Sequence, residues 1–244
     1  MLVSVIIPYF KDEKNISKSI ASVLNQNYKN IEIIIIDDEN SKNSKKILNK
    51  LKHKKIKILY TKKNLGVAKA RNLGIKRSKG KFIAFLDSDD RWKKNKIYYQ
   101  LKIIKKYNVD FCFTAYEAIK QNKIIYKVGV PQKIHYKELI YSNPICCSST
   151  LIKSDIIKQN KFRNLLTKED YELWLRLAKK NYFFLGINKI LTIYQVRENT
   201  LSSKHFNKVK NAFVIYRKYN NFSYMKSLLL VFILYFSAFK KKYL

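Results

Sequence analysis

The segment Lys81-Phe-Ile-Ala-Phe-Leu-Asp-Ser-Asp-Asp-Arg-Trp92 carries the strongest indication of both a fold and a site. Its apolar run, residues 82–86, is short and rich in aromatic and branched side chains, which is typical of a buried strand. The run ends on three carboxylates, and an extended backbone would point Asp87 and Asp89 to the same side. Two oxygen ligands so placed suit Mg²⁺ or Mn²⁺ shared with substrate phosphates. A solvated turn with a helix cap is the alternative interpretation.

The rest of the first half alternates strand-like and helix-like segments. Apolar runs predict strands, and apolar residues at helical spacing predict helices between them. The predicted strands cover residues 4–8, 31–36, 56–60, 82–86 and 111–113, and the predicted helices lie at 15–24, around 47–51, after the loop that begins at 64, and around 97–104. This order predicts an α/β fold with a mostly parallel sheet and helices on both faces.

Polar residues are concentrated at the predicted strand ends. Ligands of parallel α/β sheets bind beyond the carboxyl ends of the strands. Pro8, Asp37, Asp38 and Asp87 all lie at such ends, so the sequence predicts one site at this edge. The chain has only five glycines and no glycine-rich phosphate loop, so a metal and basic side chains would have to hold any phosphate.

The chain is strongly basic. Its 51 Lys and Arg residues against 17 Asp and Glu residues give a net charge of +34 over 244 residues. This charge makes a nucleic-acid-binding protein or a metal-dependent nuclease the alternative function. The lysines are spread over almost every predicted helix, however, which favours a compositional bias with a general attraction to anionic partners. Three cysteines without framework spacing and no leader-like N-terminus predict a cytoplasmic setting.

A second acidic cluster begins a helical pattern at residues 167–177. Thr167 is a candidate N-cap, and acids in the first turn suit the helix dipole. Capping alone is one interpretation of these acids. In the other, Glu169 or Asp170 faces a cleft as a general base, which must lie within about 3 Å of the proton that it takes.

Six segments together resemble the family 2 inverting glycosyltransferases of the GT-A fold. They occur in the order Ser4-Val-Ile-Ile-Pro-Tyr9, Ser22-Val-Leu-Asn-Gln26, Ile33-Ile-Ile-Ile-Asp-Asp38, Asn64-Leu-Gly-Val-Ala-Lys-Ala-Arg-Asn-Leu-Gly-Ile75, Phe85-Leu-Asp-Ser-Asp-Asp90 and Glu169-Asp-Tyr-Glu-Leu-Trp174. The resemblance implies a Rossmann-like domain at 1–204, with a nucleotide-sugar half (1–115) and an acceptor half (116–204). A short C-terminal helical tail would follow at 205–244.

The resemblance also implies where the donor binds. Pro8, Tyr9 and Asp38 would line the nucleobase pocket, Asp38 by accepting hydrogen bonds from the base edge. Arg71 would lie near the nucleotide or its phosphates, and Asp87 would approach the ribose. The implied donor is a nucleoside-diphosphate sugar, with UDP-sugars favoured.

The implied chemistry is that of a hexosyltransferase. Asp89 would coordinate Mg²⁺ or Mn²⁺ at the diphosphate, and Asp170 would be the catalytic base that deprotonates an acceptor hydroxyl. One displacement would invert the anomeric configuration. The acceptor would be a glycan or a lipid-linked sugar of cell-envelope polysaccharide or lipopolysaccharide synthesis. A nuclease would explain neither residues 64–75 nor residues 169–174, and nucleic acid is not expected as a partner.

Two positions depart from the family pattern. Relatives usually continue Asp37-Asp38 with Gly-Ser, where this chain has Glu39-Asn-Ser41. Many relatives also carry a histidine where this chain has Arg197. Arginine can contact phosphate through its donors but cannot ligate a metal as histidine does.

The C-terminus contains an uncharged apolar segment, residues 227–239, with Lys226 before it and lysines at 240–242 after it. Its 13 residues are fewer than the ~20 that span a bilayer. One interpretation places it on the inner face of the plasma membrane with lysines at the headgroups. The other is a terminal helix packed on the catalytic domain or on a second copy.

Overall fold

A computed structural model of the chain describes residues 1–197 and 205–243. Its strands are β1 (Val3–Tyr9), β2 (Ile31–Asp37), β3 (Ile56–Tyr60), β4 (Phe82–Phe85), β5 (Arg91–Trp92), β6 (Phe111–Lys120), β7 (Lys123–Val128), β8 (Lys133–Ile134), β9 (Thr150–Lys153) and β10 (Phe184–Gln195). Its helices are α1 (Ile16–Leu24), α2 (Lys42–Lys50), α3 (Val67–Arg77), α4 (Lys96–Tyr107), α5 (Tyr136–Leu139), α6 (Ser154–Gln159), α7 (Glu169–Lys179), α8 (His205–Val214) and α9 (Tyr224–Tyr243).

The strands form one sheet in the order β3-β2-β1-β4-β9-β6-β10-β5, with β7 paired to β6 and β8 to β10. Strands β1 to β4 pair in parallel, as do β6 and β10, whereas β9 runs antiparallel to both of its neighbours. The predicted α/β fold with a mostly parallel sheet is therefore confirmed. The apolar runs in the sequence correctly predicted strands β1, β2, β3 and β4 and the beginning of β6. Strands β5, β7, β8, β9 and β10 were not predicted.

Side chains alternate between two hydrophobic layers, one on each face of the sheet. Ile33 and Ile35 of β2 lie in the layer under α1, α2 and α4, which we call the α1 face. Ile34 and Ile36 lie in the opposite layer with α3, α6 and α7, which we call the α7 face. Both faces are covered, so the parallel strands read as unbroken apolar runs rather than alternating patterns.

Helix α3 approaches the sheet very closely. A Cβ atom at Gly74 would lie 2.5 Å from Ile6 Cγ2 and 2.9 Å from Ile36 Cδ1, so only glycine fits between this helix and β1. Arg71 lies one turn earlier on the same helix and is also buried. This close approach holds the Arg71 guanidinium at the carboxyl-end edge of the sheet, where the predicted site lies.

The predicted C-terminal helical tail is present. Ala212 of α8, Ile215 and Tyr216 of a π-helical segment (Ile215–Tyr219), and Leu230 and Leu234 of α9 all pack in the hydrophobic layer of the α7 face. The tail is thus packed on the α/β domain along one side. Within the described residues, every helix is too short or too polar to cross a bilayer.

Candidate active site

The acids after β4 have different surroundings. Asp87 and Asp89 keep 34% and 22% of their side chains exposed, whereas Asp90 is almost completely buried. Asp90 accepts hydrogen bonds from Ser148 Oγ at 2.5 Å and from the backbone N–H of Gln195 at 2.9 Å. Burial raises the pKa of Asp90. Asp90 therefore ties the strand end to β10, and the two acids before it face the open edge.

Arg71 joins two carboxylates from distant parts of the chain. Its Nη2 lies 2.6 Å from Asp87 Oδ1, and its Nη1 lies 2.5 Å from Glu169 Oε1. Arg71 is 2% exposed, and its two ion pairs make it a residue that positions Asp87 and the start of α7. A direct contact between Arg71 and a nucleotide stays a prediction. The link to Glu169 spans 98 residues, and nothing in the sequence indicated it.

A second arginine holds Asp89. Arg197 Nε lies 2.7 Å from Asp89 Oδ2, and Arg197 Nη2 donates to Asp12 Oδ2. Ser88 Oγ also donates to Asp12 Oδ2, at 2.6 Å. Burial raises the pKa of Asp89 to about 7, and the positive charge of Arg197 opposes this rise. Sequence reasoning missed Asp12, because a single acid in the loop after β1 carries no pattern that separates it from a solvated one.

Asp37 and Asp38 shape the turns at the end of β2. Asp37 accepts hydrogen bonds from Ser44 Oγ at 2.6 Å and from the backbone N–H groups of Glu39 and Asn40. Asn40 takes a left-handed conformation with φ of 53°, which asparagine adopts more readily than most residues. The departure from Gly-Ser at this position is therefore accommodated locally, and Ser41 caps α2.

The Asp38 carboxylate is buried and already accepts hydrogen bonds from the protein. They come from the backbone N–H groups of Leu65 and Gly66, both at 2.8 Å, and from Thr61 Oγ1 at 3.1 Å. These contacts fix the loop that leads into α3. A hydrogen bond donated by a nucleobase to Asp38 stays a prediction, and it would use acceptor capacity of the carboxylate beyond these three bonds.

Asp38→Ala is expected to lower the free energy of unfolding by about 1–3 kcal/mol, because two backbone donors at the start of α3 lose their acceptor. Urea denaturation measures the loss, and faster tryptic cleavage at Lys62 or Lys63 would report the loosened loop. Asp38→Asn is the control, since its remaining oxygen can accept one of the bonds. Equal stability of Asp38→Ala and the wild type would contradict this role.

Pro8 and Tyr9 end β1 beside β2. Pro8 is partly exposed and pairs with Ile36, while the Tyr9 ring is fully buried in the layer of the α1 face. Burial also raises the pKa of Tyr9. Pro8 is thus available to a ligand at this edge, and the contribution of Tyr9 to a nucleobase pocket stays a prediction.

Asp170 lies in the first turn of α7 and is partly exposed. Its Oδ1 accepts a hydrogen bond from the backbone N–H of Tyr171 at 2.7 Å. Burial raises the pKa of Asp170, Arg71 opposes the rise, and the negative charge of Asp87 adds to it. Asp170 therefore lies within electrostatic reach of the Asp87–Arg71 pair, and the pKa of its carboxylate is above that of an ordinary aspartate.

The prediction that Thr167 caps α7 is wrong. Lys168 occupies the N-cap position in a left-handed conformation with φ of 62°. Thr167 Oγ1 instead accepts a hydrogen bond from Asn211 Nδ2 of α8 at 3.1 Å. A left-handed lysine has no sequence signature, because this conformation is common only for glycine, asparagine and aspartate.

The oxygen-rich edge fits a divalent cation only together with a ligand. The described residues contain no group of three or more His, Cys, Asp or Glu side chains that would enclose a metal. The two ion pairs engage Oδ1 of Asp87 and Oδ2 of Asp89, which leaves a second oxygen on each carboxylate. Mg²⁺ is typically held by one or two carboxylates plus substrate phosphates, so this donor set suits it.

Comparison with known proteins decides the family. A model described as glycosyl transferase family 2 matches residues 4–158. The chain belongs to this family of glycosyltransferases. It is 37% identical over 210 residues to WfgD of Escherichia coli, a UDP-Glc:alpha-D-GlcNAc-diphosphoundecaprenol beta-1,3-glucosyltransferase, covering 86% of this chain and 83% of WfgD. It is 32% identical over 230 residues to TuaG of Bacillus subtilis, whose name proposes a role in teichuronic acid biosynthesis, covering 93% and 91% of the two chains.

Solved structures show the same fold for this family 2 glycosyltransferase. TarS of S. aureus in complex with UDP-GlcNAc superposes with a TM-score of 0.73 at 21% identity, covering 95% of this chain and 70% of that one. The mannosyltransferase PcManGT of Pyrobaculum calidifontis, in complex with GDP-Man and Mn²⁺, superposes with a TM-score of 0.70 at 13% identity, covering 95% and 68%. The predicted GT-A fold is confirmed by both.

Proposed function

We propose that the protein transfers a sugar, with inversion, from a UDP-sugar to a lipid-linked or glycan acceptor in cell-envelope polysaccharide synthesis. The observation that carries this proposal is the cluster of three acidic side chains at one edge of the sheet. Asp87 and Asp89 face the opening after β4, and Asp170 lies within electrostatic reach of Asp87. Asp89 suits a cation at the diphosphate, Asp87 suits the ribose, and Asp170 suits a hydroxyl to be deprotonated.

The names of the relatives support the choice of substrates. The name of WfgD states a UDP-glucose donor and an undecaprenol-linked acceptor, and TarS binds UDP-GlcNAc. A polyprenol-linked acceptor would place the reaction at the inner face of the plasma membrane. We extend these substrate classes to this chain, and a glucosyl or N-acetylglucosaminyl donor is the first to test.

In this mechanism Asp170 takes the proton of the acceptor hydroxyl as its oxygen attacks the anomeric carbon. The bond to the nucleoside diphosphate breaks on the opposite face, which inverts the configuration. Asp87, held by Arg71, would orient the ribose, and Asp89 would hold Mg²⁺ or Mn²⁺. When bound, the cation would stabilise the negative charge of the diphosphate leaving group. The Asp12–Arg197 pair would keep Asp89 in place.

Calorimetry with UDP-glucose, UDP-GlcNAc, GDP-mannose and dTDP-glucose tests the donor class, each with and without Mn²⁺. We expect a UDP-sugar to bind and its binding to tighten with Mn²⁺. Slow release of UDP in the absence of an acceptor should follow the same preference. If every donor fails to bind under both conditions while the protein degrades single-stranded DNA or RNA with Mn²⁺, the nuclease alternative replaces this proposal.

Asp89→Asn is expected to remove the Mn²⁺ dependence of UDP-sugar binding and to lower the transfer rate by about 10²-fold or more, because leaving-group stabilisation is lost. Titrating Mn²⁺ at fixed UDP-sugar measures the change. Asp110→Asn is the matched control, since Asp110 is an exposed aspartate whose ion pair with Lys153 lies on the surface. An unchanged Mn²⁺ titration in Asp89→Asn would move the metal to other ligands.

A further inference from the structure

Helix α9 carries an exposed apolar stripe opposite its buried face. Ser227, Leu230, Val231 and Leu234 are buried against the domain. The outward residues are Met225, Leu228, Leu229, Phe232, Phe236 and Phe239, whose exposed fractions run from 45% to 74%. At 3.6 residues per turn these six fall within an arc of about 100°, so they form one continuous stripe. An ordinary surface helix is polar on this side.

The stripe is large and specific in composition. Three of its six members are phenylalanine, and the rings of Phe232 and Phe236 stack with centroids 6.4 Å apart. Phe206 of α8, the helix packed beside α9, is 79% exposed. Contiguous exposed apolar surface of this kind marks an interaction site rather than the scattered exposed residues that any protein has.

The charge around the stripe favours an anionic occupant. Residues 205–244 contain eight Lys and Arg residues and no Asp or Glu. Lys226 precedes the apolar run, and lysines at 240–242 follow it. A second copy of this chain would bring the same positive charge, within a net charge of +34, against the stripe, so like charges would oppose a symmetric dimer. Lysines beside an aromatic helix face are instead the pattern of helices that lie in a lipid headgroup layer.

Helix α9 also lies beside the start of α7. The Lys168 ammonium lies 5.2 Å from the centre of the Tyr235 ring of α9, and Lys168 is the residue from which α7 begins. Asp170, the candidate base, follows in the first turn of α7. A surface bound by α9 would therefore lie beside the part of the site that receives the acceptor.

We infer that the exposed stripe of α9 docks the enzyme on an anionic lipid bilayer, with the phenylalanine rings among the acyl chains and the lysines at the headgroups. The inference rests on the proposed function in one respect, namely that a bilayer is where a lipid-linked acceptor would be found. The apolar stripe would be buried among the acyl chains, and the basic residues would be attracted to the anionic headgroups, an attraction that salt weakens.

Sedimentation of the full chain with vesicles tests the inference. We expect binding to vesicles of phosphatidylcholine with phosphatidylglycerol, weaker binding to phosphatidylcholine alone, and release as salt is raised. The double variant Phe232→Gln/Phe236→Gln should bind the anionic vesicles at least about tenfold more weakly, because two large apolar side chains no longer enter the bilayer. The control is Tyr98→Gln/Tyr107→Gln, which removes two exposed aromatic residues from α4 on the α1 face and should bind as the wild type does.

The outcomes separate docking from donor chemistry. UDP-glucose binding in solution, measured on the same preparations, should be equal in the wild type and in Phe232→Gln/Phe236→Gln. If that variant misfolds, Met225→Gln/Leu229→Gln tests the same stripe. Failure of the wild type to bind anionic vesicles would overturn membrane docking and would leave the proposal of a UDP-sugar donor unaffected. A concentration-dependent dimer that either double variant of the stripe dissociates would assign the stripe to a second copy instead.

Discussion

Asp170→Asn is expected to lower the rate of sugar transfer by a factor of about 10²–10⁴, because asparagine cannot take the proton of the acceptor hydroxyl. Affinity for the UDP-sugar should stay within about twofold of the wild type, since the base acts on the acceptor and not on the nucleotide. The Asp170 carboxylate bonds only to the backbone N–H of Tyr171 among the hydrogen bonds of the described residues, so the helix start should tolerate the amide. Initial rates with saturating donor and acceptor measure the effect.

The neighbouring acid provides the discriminating control. Glu169 is bound to Arg71 through Oε1, whereas Asp170 is held by its own helix. Glu169→Gln keeps an oxygen for Arg71 and should therefore cost much less activity than Asp170→Asn. The opposite ranking, with Glu169→Gln inactive and Asp170→Asn active, would transfer the role of base to Glu169.

The pH dependence of transfer adds a second readout for the base. Burial raises the pKa of Asp170, and a general base works only while it is ionised. The rate should therefore fall as pH decreases through this raised pKa, at a pH above the ordinary value of about 3.9 for an aspartate. Asp170→Asn should remove this acid limb from its residual activity. A limb that persists unchanged in the variant would belong to another group, such as Asp89.

The part of the fold predicted from the sequence is the part built from unbroken apolar runs. Strands β1 and β2 are buried on both faces, so apart from Ser4, Glu32 and Asp37 their residues are apolar, and this run of apolar residues is recognisable from the sequence alone. β10 escaped prediction because its middle, around Asn188 and Lys189, is exposed and polar. The β6–β7 hairpin turns on Gln121 and Asn122, both with positive φ, and only the asparagine hinted at a turn.

The site was predictable to the extent that its acids follow strands directly. Asp38 and Asp87 could be placed at one edge because carboxyl ends of parallel strands meet there. The pairing of Arg71 with Glu169 and of Arg197 with Asp89 depends on how α3, α7 and the end of β10 pack around that edge. No spacing in the chain encodes those contacts, so the sequence indicated where these acids lie but not which cations hold them.

Arg71→Met is expected to lower the free energy of unfolding by about 3–5 kcal/mol, the cost typical of removing one partner from a buried ion pair. The Glu169 side chain is 9% exposed and would lose its counter-charge. Burial already raises the pKa of Glu169 to about 7, with Arg71 opposing the rise, so the variant should raise it further. Below about pH 7 the folded wild type and the folded variant both hold this proton, so Glu169 adds little to the difference between them. Above that pH the wild type releases the proton and the variant does so later, so the deficit of the variant should grow as pH rises above about 7.

Two further variants test whether charge is the cause of that deficit. Arg71→Met/Glu169→Gln removes the orphaned charge and should recover most of the loss that develops above about pH 7, although Asp87, one third exposed, would still lack its partner. Lys153→Met breaks the surface pair with Asp110, whose side chains are 37% and 51% exposed, and should cost at most about 1 kcal/mol. Urea denaturation at several pH values compares the three variants. A deficit in Arg71→Met that is independent of pH and unrelieved by Glu169→Gln would point to lost packing against Phe162, whose ring lies 5.3 Å from the guanidinium, rather than to lost charge compensation.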